Sequence, residues 1–160
     1  MKITFVLLLS TGRDIDLAVN ILFPSILNYF KLKDLENFFI VLKDNEIELF
    51  DMFMNKAKID KKKLKIEVIK ESSLYNNSNI VNTYYLQMYL KLLISERVET
   101  NYYLTLDADL YFCKGSSSNS FFTHKAYYQK YNNCKKPTQI FIIFLFFSFK
   151  LKPIAFNKCV

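Results

Sequence analysis

Short apolar runs and longer stretches of helical spacing take turns along this chain. Lys2–Leu9 reads as an apolar run of strand length closed by Ser-Thr-Gly-Arg. From Asp14 to about Lys31 apolar residues recur at helical spacing (Ile15, Val19, Leu22, Ile26, Phe30), and Pro24 predicts a kink or a break. Asn37–Leu42 predicts a second strand, Ile47–Met54 a short helix, Leu64–Ile69 a third strand and Ile80–Val98 a long helix that is apolar almost all round. Asn101–Leu106, rich in aromatic and branched residues, predicts a fourth strand. Strands separated by helices imply βαβ units and an α/β fold, with a mostly parallel sheet covered on both faces.

Composition narrows this picture. With 160 residues, 51% of them hydrophobic and 17% aromatic, the chain is long enough for one domain with a real core, and disorder is excluded as a description of the whole. The net charge of +7 points first to nucleic acid, but its distribution points away. All fifteen acidic residues lie at or before Asp109, together with fourteen of the twenty-two Lys and Arg, so residues 1–109 are nearly neutral and the basicity belongs to the tail. The lysine cluster Lys56–Lys65 lacks the interleaved arginines and aromatics of a nucleic-acid groove and reads as a solvated loop. Cys113, Cys134 and Cys159 form no Cys-x-x-Cys pair, which fits reduced thiols and a cytoplasmic location rather than a disulfide framework or a zinc site. The amino-terminal apolar run has no small-residue cleavage site after it. Ile140–Phe149 is only half the roughly 20 residues a membrane-spanning helix needs, so no transmembrane segment is expected.

The chemistry concentrates in Tyr102–Phe112, where an apolar strand pattern finishes in Asp107 and Asp109 either side of Ala108. In a β-strand successive side chains point to opposite faces, so both carboxylates share one face, about 6.6 Å apart, while Ala108 turns away from it. Two like charges at that separation repel by roughly 2–3 kcal/mol at an effective dielectric of about 20. A divalent cation would offset this, and Mg²⁺ or Mn²⁺ is the usual guest of one or two carboxylates plus substrate phosphate oxygens. Asp-x-Asp alone is common, and a strand end that solvates the following turn is the plain alternative.

Position adds weight. Ligands of open α/β sheets bind outside the carboxyl ends of the strands, and three predicted strand ends carry suitable groups. Ser10, Thr11, Gly12 and Arg13 follow the first strand, Asp44 the second, and Asp107 and Asp109 the fourth. For Arg13 and Asp44 singly, a turn or helix-cap role is the competing explanation. Gln87, Lys91 and Ser95 form a polar stripe on the preceding helix, from which Lys91 would reach a phosphate or simply mark the wet edge of a packed helix.

The Asp-x-Asp strand, the helix Asn82–Val98 before it with Gln-x-x-x-Lys-Leu, and a first strand ending in Ser-Thr-Gly-Arg-Asp together resemble the nucleotide-diphospho-sugar transferases of GT-A fold, over about residues 2–131. The resemblance implies a Mn²⁺- or Mg²⁺-dependent glycosyltransferase of the hexosyltransferase type that binds a nucleotide-diphosphate sugar, a UDP-sugar above all. In it Asp109 ligates the metal, Asp107 holds metal or ribose, and Ser10, Thr11, Gly12, Arg13, Asp44 and Lys91 line the nucleotide.

The chain departs from that family after Asp109, where no Asp or Glu follows to act as a base. Residues 1–133 are therefore expected to form the nucleotide-sugar-binding domain, truncated at its C-terminal side. Residues 134–160 form an atypical Lys- and Phe-rich tail that resembles an out-of-frame end and offers a surface for self-association. On this view the catalytic residues are unknown, His124 lies in a turn and the domain is catalytically incomplete. Two rivals are a non-enzymatic remnant or interaction protein and a Mg²⁺-dependent phosphatase of the haloacid dehalogenase type. The latter requires Thr or Val where Tyr111 stands, and normally uses its first strand.

Overall fold

The computed structural model describes residues 1–75, 82–112 and 115–121. Four strands, β1 (Ile3–Leu9), β2 (Leu35–Leu42), β3 (Ile66–Lys70) and β4 (Tyr103–Leu106), form one sheet in the order β3-β2-β1-β4. Every pairing is parallel, so this is an α/β fold as the alternation of patterns predicts.

Side-chain alternation along the strands separates two apolar layers. Phe5, Leu7 and Leu9 of β1 and Phe38, Ile40 and Leu42 of β2 face the larger one, where they meet Ile15, Val19, Leu22, Phe23 and Ile26 from the first helical run and Phe50 and Met54 from α3 (Ile47–Lys56). Phe5 and Phe23 each meet Phe38 edge-on, at 5.6 and 5.5 Å between ring centroids, a favoured aromatic geometry. Val6, Phe39, Val41 and Tyr103 face the opposite layer with Ile69, Ile94 and Val98. That second face is covered by α5 (Thr83–Leu93), which buries Leu90 but leaves Tyr84, Tyr85, Tyr89 and Leu92 exposed.

Of the kink or break expected at Pro24, the break does not occur. Instead of breaking, α1 (Gly12–Leu17) passes through a π-helical turn, Ala18–Leu22, into α2 (Phe23–Tyr29). The Phe23 amide reaches back five residues to the Ala18 carbonyl. The wider turn lets the helix pass a proline that has no N–H to give. Ser25, almost wholly buried, donates its hydroxyl to the Leu22 carbonyl at 2.7 Å.

Other boundaries shift modestly. β2 starts two residues before the expected Asn37, α3 runs to Lys56, and β3 starts at Ile66 because Asp60–Lys65 is taken up by turns, with Lys65 at φ 51°. The Lys56–Lys65 segment is mostly exposed, as expected; Lys61 pairs with Asp51, and the Lys65 ammonium caps the Leu35 carbonyl at 2.7 Å. The helix expected over Ile80–Val98 is α5 followed by a 3₁₀ turn, Ile94–Arg97, and its expected start lies outside the described residues.

After β4 the chain returns to the amino ends of β1 and β2. Ser116 pairs with Phe30, and the buried Ser118 hydroxyl bonds the Met1 carbonyl at 2.7 Å and the Asp34 carboxylate at 3.1 Å. Cys113, His124, Cys134, Cys159 and Ile140–Phe149 lie outside the described residues, as does the whole of 134–160. Among the described residues no helix is long and apolar enough to cross a membrane.

Candidate ligand site at the carboxyl edge of the sheet

The register sets Leu42 beside Leu9, Leu106 beside Leu7 and Lys70 beside Leu42, so all four strands end along one edge. β2 and β3 lie on one side of β1 and β4 on the other. The winding therefore reverses between β1 and β4, where open α/β sheets form a crevice. Ser10–Arg13 and Asp107–Asp109 flank that reversal.

β4 stops at Leu106, which corrects the expectation that strand alternation places the two aspartates on one face. They belong to a turn closed by the Leu110 amide on the Asp107 carbonyl at 3.2 Å. The turn still exposes Asp107 and Asp109 while Ala108 is buried in the larger apolar layer. Beyond it, Phe112 packs on Phe5 and Phe30, and its amide donates to Ser25 Oγ at 3.1 Å. The aspartate turn is thus anchored to the interior on both sides.

α5 brings its polar stripe onto this edge. Lys91 Nζ lies 3.1 Å from Asp107 Oδ1, and the lysine side chain is 15% exposed against 59% for the aspartate. One turn earlier, Gln87 Nε2 donates to Ser10 Oγ at 3.3 Å. Ser10 in turn donates through its amide and hydroxyl to Asp14 Oδ2, at 3.2 and 3.0 Å, while Thr11 Oγ1 caps the helix by accepting the Asp14 amide. The Tyr103 hydroxyl donates to the Lys91 carbonyl at 3.0 Å, fixing the backbone of α5 on β4 beside the lysine.

Gly12 does not serve as a turn residue needing unusual backbone freedom, since no glycine here has a positive φ. It is the first residue of α1, and its missing side chain matters through closeness: a Cβ there would meet Leu49 Cδ2 at 3.2 Å. Arg13 is exposed on the next position and bonds no other described residue. Asp44 follows β2, but its carboxylate accepts the Ser72 hydroxyl at 2.9 Å and has Lys70 Nζ at 4.0 Å.

A cleft of about 200 Å³ opens between α5 and the ends of β1 and β2. Leu8, Leu9, Ser10, Thr11, Val41 and Lys43 form its sheet side, Glu71 from α4 (Glu71–Leu74) one end, and Thr83, Leu86, Gln87 and Leu90 its helical side. Ser10, Thr11 and Gln87 therefore belong to the cleft, whereas Asp107 with Lys91 sits on the far side of β1, toward β4. Asp44 is not among the lining residues; its neighbour Lys43 is. Lys43, Glu71 and Thr83 escape sequence reasoning because no motif marks them. Only a count of which residues follow each parallel strand would have pointed to Lys43 and Glu71.

The sequence profile of a family of unknown function, DUF6492, matches residues 1–138, which takes in every described residue. The chain belongs to that family. No curated protein and no solved structure matches it. Membership carries no assigned chemistry, so the chemistry has to be argued from the donor set. Among the described residues no three His, Cys, Asp or Glu side chains cluster as a closed metal cage. Two exposed carboxylates in one turn instead suit a hard cation that completes its shell with water and phosphate oxygens, the manner in which Mg²⁺ is usually held.

Proposed function

We propose that this domain binds a nucleotide-diphosphate sugar, a UDP-sugar above all, together with Mn²⁺ or Mg²⁺ held by Asp107 and Asp109, as a glycosyltransferase-like domain of GT-A type. The observation that carries the proposal is that the Asp-x-Asp turn, paired with Lys91, and the Ser10–Arg13 segment that leads into α1 flank the point where the sheet reverses its winding. Such a ligand would lie across the end of β1. The cleft, apolar on its leucine walls and polar at Thr11, Lys43, Glu71 and Gln87, is large enough for a planar base. The diphosphate would then lie toward β4, with the exposed Arg13 at hand from α1.

The bound cation would supply charge stabilisation to the diphosphate as the bond to the sugar breaks. Lys91 and Arg13 would add positive charge to the same edge, and Ser10 and Gln87 present polar groups on the cleft wall. The Asp-x-Asp follows the fourth strand, at an edge of the sheet, which favours this reading over a phosphatase whose aspartates follow the first. No acidic residue of the chain follows Asp109, and the proposal accordingly concerns donor binding.

Calorimetry with UDP tests it. Binding is expected with Mn²⁺ or Mg²⁺, and its loss is expected in EDTA or in Asp109→Ala. Affinity for UDP that ignores both the cation and Asp109 removes the metal from the proposal, and absence of UDP binding under every condition removes the nucleotide.

A further inference from the structure

We propose that Lys91 is the site's own stand-in for the metal: its ammonium neutralises Asp107 before ligand arrives, leaves that carboxylate when a divalent cation takes it, and then serves the diphosphate. This rests on the donor-binding reading above and adds to it an order of events. The cation alone binds weakly, and cation with diphosphate binds tightly, because one side chain opposes the first and assists the second.

The asymmetry of the two carboxylates is the starting point. Asp107 has an ammonium at 3.1 Å, whereas Asp109 bonds no other described residue. The expected repulsion within the pair is thus already offset on one side by the protein. The Lys91 side chain is mostly buried, whereas the Asp107 carboxylate is exposed to solvent. A cation in the inner shell of Asp107, about 2.1 Å from Oδ1, would stand within about 5 Å of the ammonium if the lysine stayed. A double and a single positive charge at that range disfavour joint occupancy by about tenfold even through water, and salt reduces this somewhat.

The backbone at Lys91 is fixed, so any movement of the ammonium has to come from its side chain. Tyr103 pins the Lys91 carbonyl at 3.0 Å, so the helix keeps its place and only the flexible four-carbon stem swings. The lysine that repels the bare cation becomes a partner for the two or three negative charges of a diphosphate. By linkage, cation and diphosphate then raise each other's affinity through Lys91 as well as through direct coordination.

Mn²⁺ binding to the full chain, followed by the electron paramagnetic resonance signal of free Mn²⁺, tests this with and without saturating UDP. Lys91→Met is expected to bind Mn²⁺ alone roughly five- to tenfold more tightly than the wild type, and Mn²⁺ with UDP several-fold more weakly. Lys91→Arg, which keeps the charge, is expected to follow the wild type in both, and circular dichroism confirms that each variant is folded. An unchanged or weakened affinity of folded Lys91→Met for Mn²⁺ alone overturns the stand-in role, and if Asp109→Ala still abolishes binding, the metal reading survives that result. Absence of Mn²⁺ binding by every variant, with UDP or without, overturns both.

Discussion

The Ser25 hydroxyl accepts the Phe112 amide at 3.1 Å while giving its own proton to the Leu22 carbonyl at 2.7 Å. A residue inside the first helical run thereby holds the chain just past the Asp-x-Asp turn, 87 positions later. Ser25→Ala leaves the Phe112 amide short of its acceptor in a partly buried place, which costs about 1–3 kcal/mol. Urea unfolding measures that loss, and faster hydrogen exchange at the amides of Leu110 and Phe112 would locate it. An exchange pattern unchanged there would mean the turn is held by its aromatic packing alone.

Asp34 gives a pH dependence with a definite sign. Burial pushes its carboxyl up, but bonds from the Ser118 amide and hydroxyl, aided by the amino-terminal ammonium and Lys31, outweigh burial and hold it below the ordinary 3.8. A carboxylate depressed in the folded state contributes stability that is fully present above its unfolded value and is lost as pH falls through the folded one. Asp34→Asn is therefore expected to be less stable than the wild type at pH 7, by about 1 kcal/mol, with the difference shrinking below about pH 3.8. Parallel denaturation curves at pH 7 and pH 3 check it; a constant deficit would place the effect in packing instead of charge.

Arg13 and Asp44 are separated by their neighbours. Arg13→Ala removes an exposed side chain that bonds no other described residue, so stability is expected to stay within about 0.5 kcal/mol. Affinity for UDP with Mn²⁺ is expected to fall by about tenfold as a charge near the phosphates is lost. Asp44→Ala should do the reverse, giving up a bond to Ser72 for about 0.5–1 kcal/mol of stability with little change in affinity. Calorimetry and thermal melts on both variants decide whether the assignment is as stated or inverted.

How far the sequence reveals these arrangements depends on the kind of interaction involved. The strands are legible because a parallel sheet covered on both faces requires unbroken apolar runs, and Phe38–Leu42 is one. The passage of the helix through Pro24 is not legible, because a π turn leaves no residue signature and is selected by packing on both sides of it. The end of β4 at Leu106 is similarly hidden: Tyr-Leu-Thr-Leu-Asp-Ala-Asp keeps a strand-like alternation that the turn imitates. Lys91 could be placed on the right stripe by helical spacing. Its partner could not, since that depends on how α5 crosses β4, which Tyr103 fixes through a backbone carbonyl.

The wide turn at Ala18–Leu22 leaves the run from Gly12 to Tyr29 out of phase with a regular helix. That one turn absorbs an extra residue, because the bond from the Phe23 amide to the Ala18 carbonyl spans five residues where a regular turn spans four. Wound as a regular helix with every residue kept, the run would rotate everything beyond that turn by about 100°, taking Ser25 off the Phe112 amide and Phe23 and Ile26 off the sheet while Thr11 and Asp14 stayed beside Ser10. The two ends of one helix are thus indexed to different halves of the site, and the irregular turn is the offset that keeps both in step.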